Sequence, residues 1–108
     1  MTLNEYQTAA LSTAIYPNDG TISYLALGIT GEAGELADKV KKVMRDKGGV
    51  FTDEDKHAIA LELGDALWYA ANMAKVIGYD FAEIAQMNID KIKGRVQRGT
   101  LHGSGDYR

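Results

Sequence analysis

Apolar residues recur along this chain at the three- and four-residue spacing of helices, and no segment alternates as a strand would. Four segments carry this spacing, from about Leu3 to Tyr16, Thr21 to Arg45, Asp53 to Ile77 and Phe81 to Gln97. The segments between them, 16–21, 46–53 and 77–80, are short, and each contains glycine and aspartate. Since short loops favour antiparallel neighbours, the sequence predicts an all-α fold, a four-helix bundle in one domain spanning 1–108 with a glycine-rich tail at 98–108.

Residues typical of helix ends agree with these boundaries. Thr2 and Glu5 have the spacing of a capping box before the first helix, and Asp80 and Glu83 repeat it before the fourth. Gly78 follows the third helix, where a glycine often ends a helix in the left-handed conformation.

Two glutamates lie at the edge of the apolar face of the second helix. At about 100° per residue, Glu32 falls at the edge of this face and Glu35 about 60° further round. Three glycines surround them, Gly28, Gly31 and Gly34, although each costs about 0.5–1 kcal/mol relative to alanine in a helix. We expect these glycines to let a neighbouring backbone or a substrate approach the two carboxylates.

The third helix is apolar almost all round, which predicts burial on most of its sides. Its polar residues Glu62, Asp65, Tyr69 and Asn72 fall within about 80° of one another, as a narrow stripe. A carboxylate buried without a partner costs several kcal/mol, so this stripe is unexpected in a purely structural helix.

The fourth helix has basic residues where apolar ones are expected. Asn88, Lys91 and Arg95 fall within the face that Ile84 and Ile92 define, at spacings of three and four. Two acidic pairs and a basic stripe directed inward predict a charged cavity in the bundle. The alternative is that the acidic and basic stripes only form ion pairs that hold the helices together.

Charge and composition narrow the classes of partner. The net charge is −3 and there is no basic run, which argues against a nucleic-acid polymer. The chain has no cysteine, so neither disulfides nor thiolate metal sites are expected. No apolar run approaches the roughly 20 residues of a membrane span, and the first residues lack the pattern of a secretory signal. We therefore expect a cytoplasmic protein without a membrane partner.

A cluster of carboxylates without histidine or cysteine would be an oxygen-only metal site. Such a site prefers hard cations, Mg²⁺ or Mn²⁺. Metals held in this way can activate water for attack at phosphorus, and inward lysine and arginine residues can hold the remaining phosphate charge.

The combined pattern resembles a known family. The segments "GEAGELADKVKK", "ELGDALWYAANMA" and "NIDKIKGR" are similar to those of the MazG-like all-α nucleoside triphosphate pyrophosphohydrolases, in particular the short single-domain members. The family signature has Glu-x-x-Glu on one helix, Glu-x-x-Asp on the next and then an Asn, Lys and Arg set. The resemblance extends over nearly the whole chain.

The resemblance implies an enzyme that hydrolyses (d)NTPs to the monophosphate and pyrophosphate with Mg²⁺, Mn²⁺ being possible as a substitute. Carried over by residue, the metal ligands would be Glu32, Glu35, Glu62 and Asp65. Glu35 is the candidate to polarise the attacking water, and replacement of either Glu35 or Glu62 is expected to abolish turnover. The substrate contacts would be Lys91, Arg95, Asn88 and Asn72. The resemblance also implies a homo-oligomer, a dimer or a tetramer.

Two alternatives remain open at this point. One is a non-catalytic helical interaction module, which would need no metal. The other is a phosphohydrolase that acts on another nucleotide diphosphate compound, and the identity of the products would distinguish it. The preferred base and sugar are not assigned from the sequence.

Overall fold

The structure, a computed structural model, describes residues 1–16 and 21–108, and within these ranges it contains four helices and no strand. The helices are α1 (Leu3–Leu11), α2 (Thr21–Asp46), α3 (Asp53–Val76) and α4 (Phe81–Arg98). The predicted all-α class is confirmed. Most of the predicted turn at 16–21 lies outside the described residues.

The first helix is shorter than predicted, ending at Leu11 rather than at Tyr16. The Ser12 hydroxyl donates to the carbonyl of Ala9 at 2.6 Å, and the Thr13 hydroxyl donates to the carbonyl of Ala10 at 2.9 Å. Short hydroxyl side chains of this kind offer the backbone alternatives to continued helix. The C-terminal ends predicted for the other three helices are each within one residue of those observed.

The predicted helix-end residues have the expected contacts. Thr2 and Glu5 form a reciprocal capping box, with N–H to side-chain oxygen distances of 2.9 and 3.1 Å. At the start of α4, the Glu83 carboxylate accepts a hydrogen bond from the backbone N–H of Asp80 at 3.0 Å. Gly78 ends α3 with a φ of 90°, a conformation that favours glycine.

A further capping box, which the sequence analysis missed, begins α3. The N–H of Asp55 donates to the Thr52 hydroxyl at 3.1 Å, and the N–H of Thr52 donates to the Asp55 carboxylate at 2.9 Å. Lys47 also binds this carboxylate, at 2.7 Å, and together these contacts lower the pKa of Asp55 to about 2. The loop between α2 and α3 is thereby tied to the first turn of α3.

The helices do not close a bundle within one chain. α2 packs along α3, α1 packs on α3 and on the start of α4, and α4 packs on α3 near the turn that joins them. Among the described residues α2 and α4 do not pack against each other. The radius of gyration is 16.6 Å, whereas a compact chain of this length has about 13 Å. No helix of residues 1–16 and 21–108 combines the length and apolarity that crossing a membrane requires.

Gln7 joins α1 to the turn between α3 and α4. This glutamine is 4% exposed, and its amide nitrogen donates to the carbonyls of Ala71 and Tyr79 at 3.2 and 3.1 Å. Its amide oxygen accepts from the N–H of Phe81 at 3.0 Å. A single side chain therefore pairs three backbone groups around the small core formed by α1, α3 and α4.

Replacing Gln7 with leucine should lower the free energy of unfolding by about 1–3 kcal/mol, because it leaves buried backbone groups unpaired. Urea denaturation followed by circular dichroism measures this loss. Gln97→Leu, at an exposed position on α4, is the control and should change the stability by less than about 0.5 kcal/mol. Equal stability of the two variants would contradict the role assigned to Gln7.

Candidate metal centre

The packing of α2 along α3 brings three glutamates together. Glu32 and Glu35 lie one turn apart on α2, and Glu62 faces them from α3. One carboxylate oxygen from each residue lies within 4.8 Å of the other two. The three therefore form a compact group of oxygen donors, which we call the carboxylate centre.

Two oxygens of the carboxylate centre lack hydrogen-bond partners. Glu32 Oε2 and Glu62 Oε2 are buried, and neither is paired with any group in the described part of the chain. Glu62 as a whole is only 9% exposed. Because an unpaired buried carboxylate oxygen is costly, this donor set is suited to a hard cation that several oxygens could share.

Crowding of these acids raises their affinity for protons. Burial, the close approach of the Glu62 carboxyl group and the charges of Glu35 and Asp65 raise the pKa of Glu32 to about 7. The pKa of Glu35 is also raised, mainly by its interaction with Glu62. The protein thus holds like charges close together, as a site for a cation requires.

Asp65 lies beside the carboxylate centre and not within its group of three oxygens. Its side chain is exposed, and its negative charge contributes to the raised pKa of Glu32, Glu35 and Tyr69. The predicted role of Asp65 as a fourth metal ligand stays a prediction.

An open cleft of about 500 Å³ borders the carboxylate centre. The residues that line it are Gly31, Gly34, Glu35, Asp38, Lys39, Lys42 and Glu62. A Cβ at Gly31 or Gly34 would meet no atom within 4 Å, so these two glycines widen the cleft.

The third glycine of α2, Gly28, lies against an aromatic ring. A Cβ at Gly28 would overlap the ring of Tyr69. The expected close approach therefore occurs at Gly28, and the partner is an aromatic side chain.

The two predicted cations of α4 lie with the C-terminal tail. Lys91 Nζ and Arg95 Nη2 approach the same oxygen of Asp106, at 3.1 and 3.2 Å. Arg95 also donates to the carbonyl of Gly105, and its residue is only 5% exposed. Because α4 does not pack on α2, one chain does not assemble the predicted cavity in which these cations face the acids.

The two predicted substrate asparagines have different surroundings. Asn88 is exposed on α4, next to Lys91 in a small cleft. Asn72 has no exposed surface, its amide nitrogen donates to the carbonyl of Trp68 at 2.9 Å, and its amide oxygen accepts from the Tyr16 hydroxyl at 3.3 Å. Both ends of the Asn72 side chain therefore have protein partners in this structure, and its predicted substrate contact stays a prediction.

Lys39, to which the sequence pattern gave no role, forms an ion pair with Glu62 at 3.5 Å. The available signal was its angular position between Glu32 and Glu35 on α2. That position became meaningful only once Glu62 was known to face the same side of the helix.

The fold and the site define an all-α protein with a carboxylate centre between two helices. The MazG nucleotide pyrophosphohydrolase domain matches residues 21–99, and the chain belongs to this family, which confirms the resemblance seen in the sequence. The chain is also 44% identical over 114 aligned positions to the Gene 37 protein of Mycobacterium phage L5, with 100% of both proteins covered. No solved structure matches the chain significantly.

The raised pKa of Glu32 predicts how the metal-free protein responds to pH. Between its ordinary value of 4.5 and the folded value of about 7, the folded state binds a proton that the unfolded state does not. The stability due to this group is therefore complete below pH 4.5 and is lost as the pH rises through about 7. In EDTA, the melting temperature should fall between pH 5 and pH 8.

Glu32→Gln should remove this part of the pH dependence, because the amide does not titrate. Differential scanning calorimetry at a series of pH values measures both proteins. A native melting temperature that rises from pH 5 to pH 8 in EDTA would be evidence against crowding of the acids.

Proposed function

We propose that this protein is a metal-dependent nucleotide pyrophosphohydrolase that converts (d)NTPs to (d)NMPs and pyrophosphate. The observation that carries the proposal is the carboxylate centre, with two unpaired buried oxygens, inside the range that matches the family. In the reaction, the oxygen of water bonds to the α-phosphorus, the bond from that phosphorus to the bridging oxygen breaks, and pyrophosphate leaves.

The donor set fits Mg²⁺, with Mn²⁺ as a substitute, because every candidate ligand is a carboxylate oxygen. Glu32, Glu35 and Glu62 would hold the cation, with Asp65 as the proposed fourth ligand. When bound, the metal would supply a Lewis acid that offsets the phosphate charge and lowers the pKa of a water molecule.

Glu35 is the carboxylate best placed to handle the water. It is the most accessible of the three glutamates and lines the open cleft. We therefore assign Glu35 to orienting the attacking water and accepting its proton.

The internal ion-pair alternative has less support. Such a module would need about as many cations as acids at the helix contact. Within the described residues, Lys39 is the single cation in an ion pair with the carboxylate centre. The excess of negative charge favours a metal site over a set of internal ion pairs.

Substitution of the carboxylates tests the proposal. Glu35→Gln and Glu62→Gln should each lower kcat/KM by about 100-fold or more, because each removes a charged ligand. The matched control is Glu54→Gln, at an exposed position in the first turn of α3, which should retain full activity. The assay is anion-exchange chromatography of each common NTP and dNTP after incubation with the protein in Mg²⁺ and in EDTA.

Product identity separates the candidate functions. Metal-dependent formation of monophosphate and pyrophosphate supports the proposal, whereas stepwise release of phosphate would indicate another phosphohydrolase. Absence of turnover together with no rise in melting temperature on adding Mg²⁺ would favour the non-catalytic module. Full activity of both glutamine variants would refute the assignment of the site.

We also propose that the protein functions as a homo-oligomer, a dimer or a tetramer. Large apolar side chains are exposed along α3 and α4, and they include Leu61, Leu63, Leu67, Ile89, Ile92 and Val96. Another copy packed on these helices would bury this surface. We propose that the same packing brings Lys91, Arg95 and Asn88 of one copy to the substrate phosphates at the carboxylate centre of another. Within one chain, α4 and α2 do not pack against each other among the described residues.

Light scattering coupled to size-exclusion chromatography measures the assembly directly. A mass of two or four times the 11.7 kDa of one chain is expected. A mass of one chain at micromolar concentration would contradict the oligomer. It would also leave the α4 cations without a route to the carboxylate centre.

A further inference from the structure

We infer that Lys39 is a phosphate-binding residue of the same protomer, pairing with Glu62 in the metal-free protein and with a phosphate of the substrate once the carboxylates hold a cation. This inference rests on the proposed function. It adds a positive group that belongs neither to the carboxylate centre nor to the basic set on α4.

The first supporting observation is the position of Lys39 in the open cleft. Its side chain lines the cleft beside Glu35 and Glu62, and it is 41% exposed. The ammonium lies 3.5 Å from Glu62 Oε1, longer than the roughly 2.7–2.9 Å of a strong charge-assisted hydrogen bond. Lys39 is therefore at the edge of the carboxylate centre, facing open space, and is held by a single loose ion pair.

The other cations near the cleft have partners of their own. Lys41 and Lys42 both bind Asp38 at 2.8 Å, which lowers the pKa of that carboxyl to about 2. Lys42 also lines the cleft, but its charge is offset by Asp38. Lys39 is thus the cation of this cleft whose ion pair, among the described residues, is with the carboxylate centre itself.

A bound cation would change the charge that Lys39 faces and would allow it to pair with a phosphate. A divalent cation shared by Glu32, Glu35 and Glu62 would repel the ammonium and so weaken the attraction between Glu62 and Lys39. Lysine has a flexible four-carbon stem, so its charge can move into the cleft without a change in the helix. A triphosphate bound at the centre would place anionic oxygens in this cleft, which are suitable partners for the released ammonium.

This arrangement predicts opposite effects on two affinities. Lys39 competes with a metal for Glu62, so Lys39→Met should raise the affinity for Mg²⁺ alone by at least twofold. The same variant should lower the affinity for α,β-methylene deoxynucleoside triphosphates in saturating Mg²⁺ by about tenfold, because a phosphate contact is lost. Isothermal titration calorimetry measures both, and these analogues are not hydrolysed between the α- and β-phosphates.

Two further variants make the test specific. Lys39→Arg keeps a positive charge at the same place and should restore analogue binding to within about threefold of native. Lys41→Met removes the neighbouring exposed lysine, whose partner is Asp38 and which does not line the cleft. That variant should change neither affinity by more than twofold. In steady-state assays, Lys39→Met should raise KM more than it lowers kcat.

The outcomes separate this inference from the function on which it rests. Native protein that binds Mg²⁺ and the analogue, together with unchanged analogue affinity in Lys39→Met, would overturn the role of Lys39 alone. A loss of both affinities in Lys39→Met would indicate that Lys39 only supports Glu62, and would also overturn the inference. Native protein that binds neither Mg²⁺ nor any analogue would overturn the proposed function and this inference together.

Discussion

Mutual repulsion of carboxylates at the contact between α2 and α3 is the constraint on which the rest of this structure depends. Glu32, Glu35 and Glu62 would separate if the helices were free to do so. Buried apolar side chains lie on α2 on either side of the acids, Leu25 before them and Val43 after them, and α2 packs along α3. The apolar packing therefore stabilises an electrostatically unfavourable arrangement, and a bound cation would relieve it.

The remaining elements arrange charge around this contact. Lys39 provides a partial counter-charge within the cleft, while Lys91 and Arg95 lie on α4 with Asp106. The carboxylate centre and the two α4 cations proposed to bind phosphate thus lie apart in one chain. This separation and the exposed apolar surface of α3 and α4 have the same explanation in the proposed oligomer, in which another copy would complete the site.

Much of the local structure was predictable because it depends on neighbours in the sequence. Apolar spacing predicted four helices, and the glycine at 78 and the paired residues at 2 and 5 predicted their ends. The end of α1 was misplaced because the N–H groups of Thr13 and Ala14 bond to carbonyls three residues earlier, as in a turn, and do not continue the α-helical pattern. The complete burial of Asn72 was not predictable from the polar stripe, because it depends on distant partners such as the Tyr16 hydroxyl, which donates to its amide oxygen.

The sequence by itself determined the helices, the one-turn spacing of the acid pairs and, through its signature, the family to which the chain belongs. These properties follow from helical periodicity and residue type, which are local. Only the tertiary structure decided that Glu62 meets Glu32 and Glu35, that Gly28 receives the ring of Tyr69, and that Arg95 lies under the tail. Each of these depends on which helix faces are in contact, and periodicity along one helix contains no information about its neighbour.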